Sequence, residues 1–206
     1  MDEGLTVTRH PALRLPGHEG PVPDGPWHAL PRSPEGVPLL ISPAEDYLAQ
    51  VGSDWNVPLD TLSYPALSHL ARYLPHLRAQ RTALRRAIRS FLGHYVPTRV
   101  PLAVEAGCSV GPDLRALRRV AEHVIAFDSY IVPLRAAAQV LAGREVQIPV
   151  RVEGRTFQMH RHPLVGTPLK GFTLCCANAL DPPLQAESTD LVMAMNLLDN
   201  VSEPLN

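Results

Sequence analysis

The stretch Val104-Glu105-Ala106-Gly107-Cys108-Ser109-Val110-Gly111-Pro112-Asp113 decides the reading of this 206-residue chain. It closes an apolar run over 100–106 with two glycines. A proline suited to the first helical turn then opens a segment with Leu114, Leu117 and Ala121 at helical offsets. Strand, tight turn and helix in that order make one β-turn-α unit. Glycines at the carboxyl end of the first strand of an open α/β sheet let a ligand approach the backbone, and the helix N-terminus beyond them offers N–H groups. A nucleotide-like ligand is expected at this turn.

The alternation continues downstream. Residues 123–128 (His-Val-Ile-Ala-Phe-Asp) read as a second buried strand, and 131–142 as an alanine-rich helix closed by Gly143, which together predict a right-handed β-α-β crossover. Residues 146–162 alternate in character around Glu153-Gly154 and read as an inserted hairpin. Two further continuous apolar runs, 171–177 and 190–195, are of the kind found in sheets covered on both faces. Four parallel-type strands follow, and with them an α/β fold of Rossmann-like type with a mostly parallel sheet.

Upstream the chain changes character. There are 22 prolines, roughly twice the usual share of about 5%. Nine of them (Pro11, Pro16, Pro21, Pro23, Pro26, Pro31, Pro34, Pro38 and Pro43) fall in the first 43 residues, where fixed φ and missing N–H groups predict an extended arm or loop with no regular helix or central strand. Ser42-Pro43-Ala44-Glu45 then reads as a helix start, giving a helix over 43–51, and two more are predicted over 64–74 and 75–95. In the last of these Leu77, Leu84, Ile88, Phe91 and Tyr95 form one apolar stripe, opposite Arg78, Arg81, Arg85, Arg86 and Arg89 as a solvated face. The organisation is therefore a Pro-rich arm over 1–42, a helical cap over 43–96 and a ligand-binding α/β domain over 97–206.

Composition narrows the partners. Hydrophobic residues make up 45% and charged ones 19%, which rules out a chain held open by its own repulsion. A net charge of -1 disfavours nucleic acid as a bulk electrostatic partner. Cys108, Cys175 and Cys176 form neither a disulfide framework nor a zinc motif. No run approaches 18 apolar residues, and Met1-Asp2-Glu3-Gly4 is acidic where a signal peptide is basic, so a cytoplasmic protein with no membrane partner is expected.

The glycine register discriminates among nucleotide motifs. A dinucleotide fingerprint starting at Gly107 needs glycine at 109 and 112, where Ser109 and Pro112 stand, and a P-loop needs Gly-Lys where Pro112-Asp113 stands. What remains is acid-x-Gly-x-small-x-Gly, on Glu105, Gly107, Ser109 and Gly111, and this resembles motif I of the class I S-adenosylmethionine-dependent methyltransferases. Asp128 ends the second strand 21 positions after Gly107, where an acid can accept the hydroxyls of a ribose. The segment Ala177-Asn178-Ala179-Leu180-Asp181 is similar to the family's stretch after its third strand, with Asn178 in place of the commoner Asp. The segment Ser188-Thr189-Asp190-Leu191-Val192-Met193-Ala194-Met195-Asn196-Leu197-Leu198-Asp199-Asn200-Val201 resembles its fourth strand and the loop that closes the pocket.

The resemblance covers about half of the chain. It implies S-adenosylmethionine as cofactor and a binding set of Glu105, Gly107, Cys108, Ser109, Gly111, Asp128, Ser129, Asn178, Ala179 and Asn196. Asn196 and Asp199 are candidate lip residues near the methyl group, and neither a catalytic residue nor the acceptor, small molecule or protein, is legible. His160 and His162 read as a polar hairpin face rather than a metal pair, and Cys175-Cys176 as small core residues on opposite faces of a strand. Cys108 is a small residue required at the turn, and Trp27, Trp55, Tyr47 and Tyr95 are expected to pack the N-terminal helices.

The family's sheet has seven strands in the order 3-2-1-4-5-7-6, and this chain ends at Asn206, just after the fourth. An apolar strand over 191–197 would then be an unpaired edge of the type that natural proteins cover. Three explanations stay open: a fragment, a second chain that completes the sheet, or residues 1–96 folding back over the edge. Two functions follow. One is a methyltransferase or its cofactor-binding half; the other is a non-catalytic interaction protein, a homodimer or hetero-complex paired through that edge.

Overall fold

The computed structural model describes residues 9–74, 82–162 and 168–202. Seven strands occur in it: β1 (Leu39–Leu40), β2 (Val100–Ala106), β3 (Ala121–Asp128), β4 (Val146–Glu153), β5 (Thr156–His162), β6 (Phe172–Ala177) and β7 (Leu191–Met193). Five of them form one sheet in the order β1-β6-β3-β2-β7, every pairing parallel. β4 and β5 form a separate antiparallel ribbon, the hairpin that the alternation over 146–162 predicts. The chain is an α/β protein with a mostly parallel, Rossmann-like sheet.

Six helices accompany these strands: α1 (Asp24–Ala29), α2 (Ala44–Val51), α3 (Tyr64–Tyr73), α4 (Thr82–Tyr95), α5 (Leu114–Val120) and α6 (Ile131–Leu141). Side chains alternate across the central strands. Ala103, Val124, Ala126, Leu174 and Cys176 pack toward α5 and α6, while Leu102, Val104, Ile125, Phe127 and Cys175 face the other way. Burial on both faces explains why β6 reads as an unbroken apolar run. Cys175 and Cys176 do point to opposite cores, as small packing residues.

The second face holds the main correction to the sequence reading. The Pro-rich segment is not merely an extended arm: Ala12, Leu13, Val22, Trp27 and Leu40 form the layer that covers this face, and the segment contains both a helix and a strand. α1 tolerates Pro26 because the N–H groups of a first helical turn have no intrahelical partner to lose. β1 pairs Leu39 with Cys176 and Leu40 with Ala177, and the Pro38 carbonyl accepts from Cys176 N at 2.9 Å, a bond that needs no donor from proline. Further along, Arg14 N donates to Pro183 O at 3.2 Å and Gln185 N to Ala12 O at 2.9 Å, tying the segment to the loop before β7.

The helical cap is held by polar clamps. Ser63 caps α3, its Oγ accepting from Ala66 N at 3.4 Å, and Asp54 accepts from both Ser63 N (2.7 Å) and Ser63 Oγ (2.5 Å). Arg135 of α6 is 1% exposed, and its fork donates to Glu35 Oε2 at 2.7 Å, Asp54 O at 2.7 Å and Val57 O at 2.7 Å. One buried cation thus fastens two N-terminal loops onto the sheet's own helix.

Helix limits shift where tertiary contacts compete. The segment expected over 112–122 is helical only in α5, because Ala121 pairs with Val100 and β3 starts there. The start of the helix predicted over 75–95, with Leu77, Arg78 and Arg81, lies outside the described residues. In α4 itself Ile88 of the predicted stripe is buried, with Leu92 beside it, whereas Leu84 is 36%, Phe91 58% and Tyr95 66% exposed. α4 packs on α5, and its Leu84, Phe91 and Tyr95 are exposed. Trp27 and Trp55 are core residues, as expected, and Tyr95 is not.

β7 is the edge opposite β1. Among the described residues the N-terminal segment extends the sheet at β6, and no strand pairs with the outer side of β7. No helix among them is long and apolar enough to cross a membrane.

Candidate functional site

A sheet ordered β6-β3-β2-β7 reverses direction between β2 and β7, and ligands of open α/β sheets bind outside the carboxyl ends of the strands at such a reversal. A cavity of about 490 Å³ lies there, within the usual range for small-ligand sites. It is lined from the ends of all four strands: the turn after β2, Asp128 and Ser129 after β3, Asn178 and Ala179 after β6, and Asn196 after β7.

The turn after β2 is shaped by backbone geometry. Gly107 and Gly111 have φ of +70° and +69°, and Ser109 between them has φ +50°. Gly107 N and Cys108 N both donate to Phe127 O, at 2.8 and 3.1 Å, pinning the turn to β3. A Cβ on Gly107 would stand 2.8 Å from Leu197 Cδ1, so the turn and the loop after β7 are already in contact. A Cβ on Gly111 would stand 2.5 Å from Leu114 Cδ1. Gly111 does not line the cavity; it lets α5 pack close, whereas the other nine residues of the set read from the sequence all border the space.

Asp128 joins turn to strand. Its Oδ2 accepts from Ser109 N at 2.9 Å and its Oδ1 from Tyr130 N at 2.9 Å. Burial raises its pKa, and these backbone donors counter that in part. Ser109 Oγ is buried beside the cavity with no hydrogen-bond partner. Asn178 Oδ1 accepts from Leu180 N at 3.0 Å, leaving its amide nitrogen as a donor at the mouth. Asn196, at φ +60°, gives its carbonyl to Asn200 Nδ2 at 2.9 Å and so shapes the loop after β7. Asp199 does not line the cavity.

Charge at the site has one sign. Among the described residues the lining contains three carboxylates, Glu105, Asp113 and Asp128, and no lysine or arginine. Cys108 is fully buried, and burial, then the Asp128 and Glu105 charges, hold its thiol well above its ordinary pKa. It is a space-filling residue of the turn, not a nucleophile.

Among the lining residues to which the sequence reading assigned no site role, two stand on the helical cap. His69 and Tyr73 of α3 border the cavity, their rings 4.4 Å apart, and His69 stands edge-on to Tyr130 at 4.8 Å. Burial, then the Arg72 charge, lowers the His69 pKa to about 4, so the imidazole is neutral near pH 7, and its Nε2 has no hydrogen-bond partner. Their i, i+4 spacing was the available signal, but a spacing along one helix does not say which pocket the helix meets. Tyr47 of α2 completes the support: its hydroxyl donates to Ser129 O at 2.9 Å and accepts from Ile131 N at 3.1 Å. No group of three or more His, Cys, Asp or Glu side chains able to hold a metal occurs among the described residues.

Fold and site together define a Rossmann-like α/β protein with a small-ligand cavity at its switch point. The sequence matches no family model and no curated protein.

Proposed function

We propose that the chain binds S-adenosylmethionine in this cavity and is a methyltransferase, or the cofactor-binding half of one, of the class I type. The observation that carries the reading is the lining itself: a glycine turn, a ribose-competent Asp128 and three carboxylates with, among the described residues, no lysine or arginine beside them. Three carboxylates in the lining disfavour a phosphate-bearing dinucleotide. A ligand with a cationic sulfonium and ammonium and no phosphate suits the lining. The order β6-β3-β2-β7 agrees with the first four strands that the resemblance implies.

The residues present fit the group. Asp128 has carboxylate lone pairs left after its two backbone bonds, enough to accept two ribose hydroxyls. Ser109 Oγ is a buried hydroxyl in want of a partner. The amide nitrogen of Asn178 is a donor suited to an adenine edge, and Glu105 and Asp113 in the same lining suit a cationic ligand. S-adenosylmethionine supplies a methyl group already activated by its sulfonium, so the protein's part is to orient the acceptor and exclude water.

Calorimetric titration with S-adenosylhomocysteine, with NAD as control, tests the reading. Saturable binding that Asp128→Ala weakens is the expected result. The absence of binding and of any shift in melting temperature from a folded sample overturns it.

A second reading has one observation behind it. Val192 of β7 is 57% exposed, and the outer side of that strand has no partner among the described residues. A non-catalytic role, in which a second copy or another chain pairs with β7, predicts self-association by light scattering that Met193→Pro abolishes.

A further inference from the structure

A groove of about 610 Å³ runs between α3 and β4, outside the strand-end cavity. His69 and Tyr73 line both spaces, so the groove and the cavity share a wall. Pro65, Pro149 and Val150 give the groove an apolar side. Its charge is opposite to that of the cavity, because Arg72 and Arg151 line it as well.

Both guanidiniums are held in place without being neutralised. Arg151 Nη2 donates to Ser68 Oγ at 3.1 Å, and its guanidinium lies 5.6 Å from the Tyr64 ring and 5.5 Å from the Phe157 ring. Arg72 lies 5.6 Å from the Tyr73 ring. Among the described residues no aspartate or glutamate lines the groove, although β4 ends in Glu153. In a chain whose net charge is -1, two cations in a partly apolar lining that contains no acid among the described residues are a local arrangement, not the overflow of a basic protein.

We propose that this groove is the acceptor subsite: it takes a small molecule with an apolar body and a carboxylate, held by Arg72 and Arg151, and directs the other end across the His69–Tyr73 wall into the strand-end cavity. This rests on the methyltransferase reading. Guanidinium forks match carboxylates in geometry, and the apolar side covers the body of the ligand. The neutral His69, with Nε2 unpartnered, stands where the ligand passes from groove to cavity and offers it a hydrogen-bond acceptor or donor. Opposite charge on the two sides of one wall also sorts the two ligands, cationic cofactor to the acidic cavity and anionic acceptor to the basic groove.

The test titrates the full chain with benzoate and with its neutral counterpart benzyl alcohol, following binding by calorimetry and the His69 imidazole signals by NMR, assigned with His69→Gln. Benzoate is expected to bind saturably, to move the His69 signals, and to weaken as salt rises. Arg72→Gln and Arg151→Gln are each expected to weaken it roughly ten- to a hundredfold, as for the loss of a hydrogen bond to a charged group. Melting temperatures report whether each variant folds; Arg72, exposed near the end of α3, decides alone if Arg151→Gln does not. Benzoate binding no better than benzyl alcohol, or unchanged in a folded Arg72→Gln chain, overturns the proposal. S-adenosylhomocysteine is titrated in parallel. Its binding without benzoate refutes the groove alone, and benzoate binding without it refutes the methyl-transfer reading and the acceptor role with it.

Discussion

Asp128 accepts the Ser109 N–H at 2.9 Å, so the acid that ends β3 holds the middle of the glycine turn that ends β2. Two motifs 19 residues apart are thereby one structure. A carboxylate that accepts two backbone donors and still faces the cavity both shapes the turn and, in the proposed function, meets the ligand.

Replacing it separates the two roles. Asp128→Ala leaves two buried N–H groups short of an acceptor and should cost about 1–3 kcal/mol of stability. It should also weaken S-adenosylhomocysteine by roughly a hundredfold, since two hydrogen bonds to a charged group are lost. Asp128→Asn keeps one carbonyl acceptor and should recover most of the stability and little of the affinity. Chemical denaturation and calorimetry on the same samples read both.

Gly107→Ala should destabilise the chain by about 1–3 kcal/mol, because a non-glycine residue is strained at φ +70° and its Cβ would stand 2.8 Å from Leu197 Cδ1. Adding Leu197→Ala removes the clash but not the strain. Only part of the loss should return in the double variant, and full recovery in denaturant melts would contradict the backbone argument.

Arg135→Ala should be among the most damaging single changes, at about 3–5 kcal/mol, since it strands the Glu35 carboxylate and two loop carbonyls in the interior. Arg135→Ala with Glu35→Gln should be less unstable than Arg135→Ala alone. Urea midpoints of the two chains give the comparison.

Acid should weaken the fold in a defined window. His10 and His123 stack at 4.6 Å, and burial lowers the pKa of both, that of His123 to about 4, with His69 likewise at about 4. Unfolding returns each to its ordinary 6.5, so the unfolded chain binds more protons between these values. Stability is then fully present above about pH 6.5 and falls as pH drops toward about 4. His123→Gln, which keeps a partner for Thr173 Oγ1, should flatten the dependence of melting temperature on pH.

The three cysteines should be silent to thiol reagents in the native chain. All are buried and free, and burial raises the pKa of each, that of Cys176 to about 12. Titration with a chromogenic disulfide should find no fast thiol before urea is added and all three afterwards.

β2, β3, β6, the β4–β5 hairpin and the glycine turn were legible because their signals are local; β1 was not, and β7 ends at Met193 instead of reaching 197. An apolar run such as 172–177 is buried wherever it lies, and a turn at φ +70° calls for glycine at Gly107 whatever packs around it. Asp128 could be placed at a strand end for the same reason, and the parallel crossover from 100–106 to 123–128 followed from the strand-helix-strand succession, whereas the strand order rested on the family resemblance. The first 43 residues were read from their prolines alone, which report the lost N–H groups but not what Leu13, Val22, Trp27 and Leu40 would cover. That cover depends on a sheet face assembled from residues as far off as Cys175, and so do the arrival of His69 over the cavity and the choice of Ile88 and Leu92 over Phe91 and Tyr95. Periodicity and turn chemistry are properties of a few consecutive residues, and those the sequence by itself determined. Which surface meets which is a property of distant segments competing for the same apolar area, and that only the tertiary structure decided.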